Sequence, residues 1–124
     1  MKAVLFISHG SRFPRTEEEV RDFVETLKQK CDIPIFEYAF LDVMPPSIPE
    51  GIDACVAKGA TEITVLMNFL NAGRHVDEDI PTIIGEARAR YPEVTFHITK
   101  PVGQHDKIID LFIDMINEGD LPGK

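Results

Sequence analysis

The sequence predicts an α/β fold in three layers, an αβα sandwich with a four-stranded parallel sheet at its centre. Two observations predict it. Short apolar runs of strand length alternate with longer stretches whose apolar residues recur at helical spacing, giving the order β-α-β-α-β-α-β-α without internal repeats. The runs are also near-continuous rather than alternating in polarity, as expected of strands covered on both faces. Parallel strands joined in series need crossovers, and right-handed crossovers put helices on both sides of the sheet.

Residues 3–7 read as the first and central strand. Val20, Phe23, Val24, Leu27 and Cys31 follow at helical spacing. Thr16 is the predicted cap of that helix, and the glutamates after it complement the positive helix end. Residues 33–39, opened by Ile33 and Pro34, read as the second strand. Proline content makes 42–49 a loop, and Ser47-Ile48-Pro49-Glu50 a helix start. Ile48, Ile52, Cys55 and Val56 form that helix's buried stripe, and Gly59 ends it in a left-handed conformation. Residues 62–66 give the third strand, extending toward 69. Val76, Ile80, Ile83, Ile84 and Ala87 then form an amphipathic helix that Pro92 closes. Residues 94–98 give the fourth strand and 108–116 the last helix, with Asp106 as its cap. The organisation read from this is one domain, 1–118, with a flexible C-terminal tail, 119–124.

Composition narrows the function. A formal charge of −8 over 124 residues argues against nucleic acid or an anionic membrane as partner. No apolar run approaches the ~20 residues of a membrane span. The N-terminal run is too short for a signal peptide and lacks a small-residue cleavage site, so a cytoplasmic location is expected. Cys31 and Cys55 have no metal or redox spacing and read as small buried side chains.

Two stretches carry the chemistry: Ser8-His9-Gly10-Ser11-Arg12 and Ala72-Gly73-Arg74-His75-Val76-Asp77-Glu78-Asp79-Ile80-Pro81. Each puts a histidine in a loop past a predicted parallel strand, at the sheet edge where open α/β sheets bind ligands. Imidazole suits divalent first-row metals and also serves as a base. His75 opens a helix whose positive end disfavours protonation, and a neutral imidazole is what a metal ligand or base requires. Asp79, four residues on, sits on the same helical face and is placed to orient the His75 ring. Asp77 reads as helix-end charge compensation. Asp42 ends the second strand at the same edge and joins the histidines as a candidate metal ligand. His97 and His105 read as structural or surface residues.

These motifs, with Phe40-Leu41-Asp42-Val43-Met44-Pro45-Pro46-Ser47-Ile48-Pro49, Lys58-Gly59-Ala60 and Phe69-Leu70 in order between them, resemble the small single-domain class II chelatases. The resemblance spans 3–116. It implies a chelatase-like half-domain with flavodoxin-like winding, and an enzyme that inserts Co²⁺, Ni²⁺ or Fe²⁺ into sirohydrochlorin with release of two protons. The metal is then substrate, and no cofactor is permanently bound. By the same resemblance His9 and His75 bind the metal and help remove the pyrrole protons. Asp42 stands where the family usually has glutamate, a shorter arm at that position. The product would lead toward cobalamin, a nickel coenzyme or siroheme. Ser11, Arg12, Arg74, Phe69 and Leu70 are the expected substrate contacts, with Arg15, Lys100, Phe13 and Met44 nearby. One small domain offers one wall for so large a ligand, so the resemblance implies a homodimer with the cleft between subunits. Two other readings use the same histidines: a non-catalytic cobalt, nickel or tetrapyrrole carrier, and a histidine phosphatase. The latter resembles a family with an arginine directly before the histidine, where this chain has Ser8.

Overall fold

Four strands, β1 (Lys2–Ser8), β2 (Ile35–Phe40), β3 (Glu62–Met67) and β4 (Thr95–Ile98), form one parallel sheet in the order β2-β1-β3-β4. The structure, a computed structural model, describes residues 1–119, His75 by its backbone alone. The predicted tail therefore lies, except for Gly119, outside the described residues. Among these, no helix is long and apolar enough to cross a membrane.

Side chains alternate across a strand, and β1 uses both faces for core. Leu5 and Ile7 point to one side, where α2 (Ile48–Ala57) and α3 (Ile80–Arg90) bring Ile52, Cys55, Ile80 and Ile84 into the main core. Each such fully buried aliphatic side chain contributes roughly 1.5–3 kcal/mol. Val4 and Phe6 point to the other side, where α1 (Arg15–Gln29) packs Val24 against them and Phe36 of β2. The layers are thus α1, sheet, and α2 with α3. The fourth helix, α4 (Lys107–Glu118), buries none of its residues. Helices cover both faces as expected, with α4 standing apart: α1 shields the β1–β2 half of its face and leaves a groove toward β3–β4.

Several boundaries differ from those predicted, each for a local reason. The ladder between β1 and β2 starts at Ala3 with Ile35, past Pro34, which has no N–H to donate. Helix α1 begins at Arg15 behind Pro14, whose φ of −60° already suits a helix, so Thr16 lies inside the first turn and is not the cap. Cys31 falls beyond the end of α1 and is exposed, not core. Cys55 is buried, and burial with the Glu37 charge pushes its thiol up to about 12. Asp106 occupies the cap position of α4 without a side-chain cap bond; instead the Lys107 N–H donates to Nδ1 of His105, at 3.1 Å. Ser47 and Gly59 behave as predicted: Ser47 caps α2, and Gly59 takes a φ of +98° past its end.

Candidate functional site

Winding begins at β1 and runs outward both ways, to β2 on one side and to β3 and β4 on the other. The carboxyl ends of β1 and β3 flank the point of reversal, where a crevice opens in this kind of sheet. His9 follows β1 directly. Its exposed ring stands edge-on to Phe69, with centroids 4.6 Å apart and an interplanar angle of 85°. Phe69 is 2% exposed, so the imidazole rests against the core. Among the described residues nothing hydrogen-bonds the His9 ring, which leaves its nitrogens to a ligand.

A crevice of about 490 Å³ is lined by His9, Asn68, Phe69, Leu70, Gly73 and Val76, with Asn71 beside them. Gly73 and Val76 flank His75 in sequence, which brings the His75 backbone to the crevice that His9 borders. The chain there forms a π-helical turn, His75–Asp79, before α3. The predicted α-helical register between His75 and Asp79 is therefore replaced by a wider turn. Buried Val76 and Ile80 anchor that turn to the core. Asp79 sits at its junction with α3.

Asp42 reaches the same edge by backbone pairing that continues past the sheet. Leu41 N–H donates to Ser8 O at 2.8 Å and Asp42 N–H to His9 O at 3.0 Å. Gly10 makes this approach tolerable: its φ is +97°, and a Cβ there would lie 2.0 Å from Asp42 O. Asp42 Oδ1 accepts from Val43 N–H at 2.8 Å, and Val43 itself has a φ of 75°, rare for a β-branched residue. Ser11 braces the same loops: its N–H lies 3.3 Å from Met44 Sδ and its Oγ accepts from Phe13 N–H at 2.9 Å.

The remaining predicted contacts divide. Leu70 is 59% exposed on the crevice wall, whereas Phe69 supports His9 from beneath. Arg12 and Arg15 are exposed beyond β1, and Phe13 is 54% exposed beside them. Arg74 is exposed and forms a loose ion pair with Glu78, 3.8 Å. Lys100 lines a separate groove on the α1 side of the sheet and not this crevice. Sequence reasoning missed Asn68, whose Nδ2 donates to the buried Ser8 Oγ at 3.1 Å and ties the ends of β3 and β1 together. The polar residue after an apolar run was its one signal. Among the described residues no three His, Cys, Asp or Glu side chains gather into a complete metal cage.

The family model named CbiX matches residues 3–119. A sirohydrochlorin ferrochelatase of Priestia megaterium is 36% identical over 118 residues, covering 95% of this chain and 44% of that protein. The chain thus spans less than half the length of that relative. A sirohydrochlorin cobaltochelatase of Saccharolobus solfataricus is 30% identical over 124 residues, with 95% of both chains covered. Among solved structures, the sirohydrochlorin chelatase SirB from Bacillus subtilis in complex with cobalt superposes with a TM-score of 0.84. It is 32% identical, and the match covers 94% of this chain and 50% of that one.

Proposed function

Because the chain belongs to the CbiX family, we propose that it is a chelatase that inserts Co²⁺, Ni²⁺ or Fe²⁺ into sirohydrochlorin and releases two protons. The observation that carries this reading is the placement of His9: exposed, edge-on to buried Phe69, and bordering the crevice that Gly73 and Val76, on either side of His75, also line. The cobaltochelatase of S. solfataricus supports it as well, since the 30% identity runs over 95% of both chains.

In this mechanism His9 and His75 hold the incoming ion as it sheds water. Imidazole suits all three metals and, with few ligands, surrenders the ion to four ring nitrogens. Each pyrrole N–H that is replaced gives its proton to a base at the rim, the role of the two imidazoles. Asp42 adds a charge beside His9 and binds the ion directly or through water. Asp79 orients His75. Arg12 and Arg74 pair with carboxylates of the macrocycle, Ser11 donates its hydroxyl proton to one, and Leu70 packs against the ring over the Phe69–His9 pair. Residues 1–118 act as one unit, and two copies form a homodimer that supplies the second wall. The unpaired, exposed Cys31 suits a reducing compartment, the cytoplasm.

The test is an anaerobic absorbance time course of sirohydrochlorin with each metal. Wild type should exceed the uncatalysed rate, and His9→Ala and His75→Ala should each lose about a hundredfold or more, the scale of a missing base. No acceleration with any of the metals would overturn the enzyme and leave a metal or tetrapyrrole carrier.

A further inference from the structure

The row Val4, Phe6, Ser8 of β1 faces the α1 side of the sheet, and its last member breaks the apolar pattern. Ser8 is the one buried polar side chain among the described residues, with 7% exposure. A buried hydroxyl needs a hydrogen-bond partner, whereas an apolar side chain in its place would need none. The partner is Asn68, whose Nδ2 donates to Ser8 Oγ at 3.1 Å across 60 residues of chain. The fold thus carries a polar clasp where packing alone asks for none, one residue before His9.

The clasp stands where the sheet stops holding this part of the chain. On the β2 side, backbone bonds continue to the site: Leu41 N–H donates to Ser8 O and Asp42 N–H to His9 O. On the β3 side the last backbone bond runs from Asn68 N–H to Ile7 O at 2.9 Å, and among the described residues none follows it between these two segments. From there two consecutive side chains take over. Asn68 holds Ser8, and Phe69 meets the His9 ring with 4.6 Å between centroids. A ring contact gives the imidazole a wall but leaves it free to slide along that wall. The Asn68 amide removes that freedom, because it ties the residue before His9 to the residue before Phe69.

We propose that Asn68 is a positioning residue for His9: through Ser8 it sets where the imidazole stands against Phe69, and so where a bound ion is held. It acts through Ser8, without touching the ion or the macrocycle. Asn68 is itself exposed at the rim of the His9 crevice, so it adds little to the core and can be replaced without unfolding the chain. This role rests on the chelatase reading where catalysis is concerned, whereas the placement of the ring does not. Groups that orient a metal ligand from behind govern affinity or rate by about ten- to a hundredfold.

The test is a double-substitution cycle of Ser8→Ala and Asn68→Ala in the full chain, read first by proton NMR without substrate. His9→Ala identifies the His9 ring signals, which the Phe69 ring current displaces from free-histidine positions. Each single variant should return them toward those positions, and the double should go no further, since both changes remove one bond. Asn68→Asp, whose carboxylate accepts from the Ser8 hydroxyl, should keep them as in wild type. Titration with Co²⁺ should show affinity about tenfold weaker in each Ala variant, and kcat with sirohydrochlorin should fall by a similar factor with KM unchanged. Ring signals that stay in place in Asn68→Ala, or losses that add in the double variant, overturn the proposal. So does a loss in Asn68→Ala that Ser8→Ala does not share, which would put Asn68 in direct contact with substrate. A wild type that fails to metallate sirohydrochlorin sinks the chelatase reading alone, because the ring signals and Co²⁺ affinity still report on the clasp.

Discussion

Gly10 carries the tightest steric demand beside the site, since its left-handed backbone and the nearby Asp42 carbonyl leave no room for a Cβ. Gly10→Ala should cost about 2–3 kcal/mol, read as a lowered denaturation midpoint, and should displace the Asp42 loop and so lower chelatase activity. A variant as stable as wild type would show that the loop yields cheaply. Val43, in the same loop, holds a φ of 75° because Asp42 Oδ1 and the Met44 turn over-determine it. Such strain depends on tertiary neighbours and has no signature in a sequence. His9 and Asp42 were legible because strand ends in a parallel sheet fall on one edge. Asn68 was not, because its role depends on Ser8, 60 residues away.

At the scale of elements, the Ser47–Glu50 capping box of α2 offers a test with a defined sign. Ser47 Oγ accepts from Glu50 N–H, and Glu50 Oε1 accepts from Ser47 N–H at 2.8 Å. The Ser47 backbone bond holds the Glu50 carboxyl below its ordinary range. A carboxylate whose folded pKa is depressed stabilises the fold above its unfolded value, about 4.3, and loses that as pH falls through the lower folded value. Glu50→Gln should therefore melt below wild type at neutral pH, with the gap closing toward pH ~3, in thermal scans across that window. A constant gap would mean that charge plays no part. This box was visible as Ser-Ile-Pro-Glu. So were the strands and helices, since apolar period distinguishes them without tertiary help. The π-helical turn at His75–Asp79 was not, because an α-helix and a π turn begin with the same residue types. The failure of α4 to pack on its own sheet was equally hidden: its apolar stripe announces burial, yet the helix buries none of its residues.

Over the whole molecule, a net charge of −8 opposes the polycarboxylate substrate proposed for this chain. Long-range repulsion slows encounter even where Arg12 and Arg74 offer local attraction. Raising ionic strength from ~0.01 to ~0.15 M shortens the screening length from ~30 to ~8 Å, and kcat/KM for sirohydrochlorin should rise severalfold. A steep fall would instead show that the arginines govern encounter. Asn68 lines two cavities, one at the His9 edge and one on the α1 face, and its amide holds Ser8 a single residue before His9. A ligand in the crevice and anything that fills the groove would both act on that one side chain, and a coupling through it would be equal in both directions.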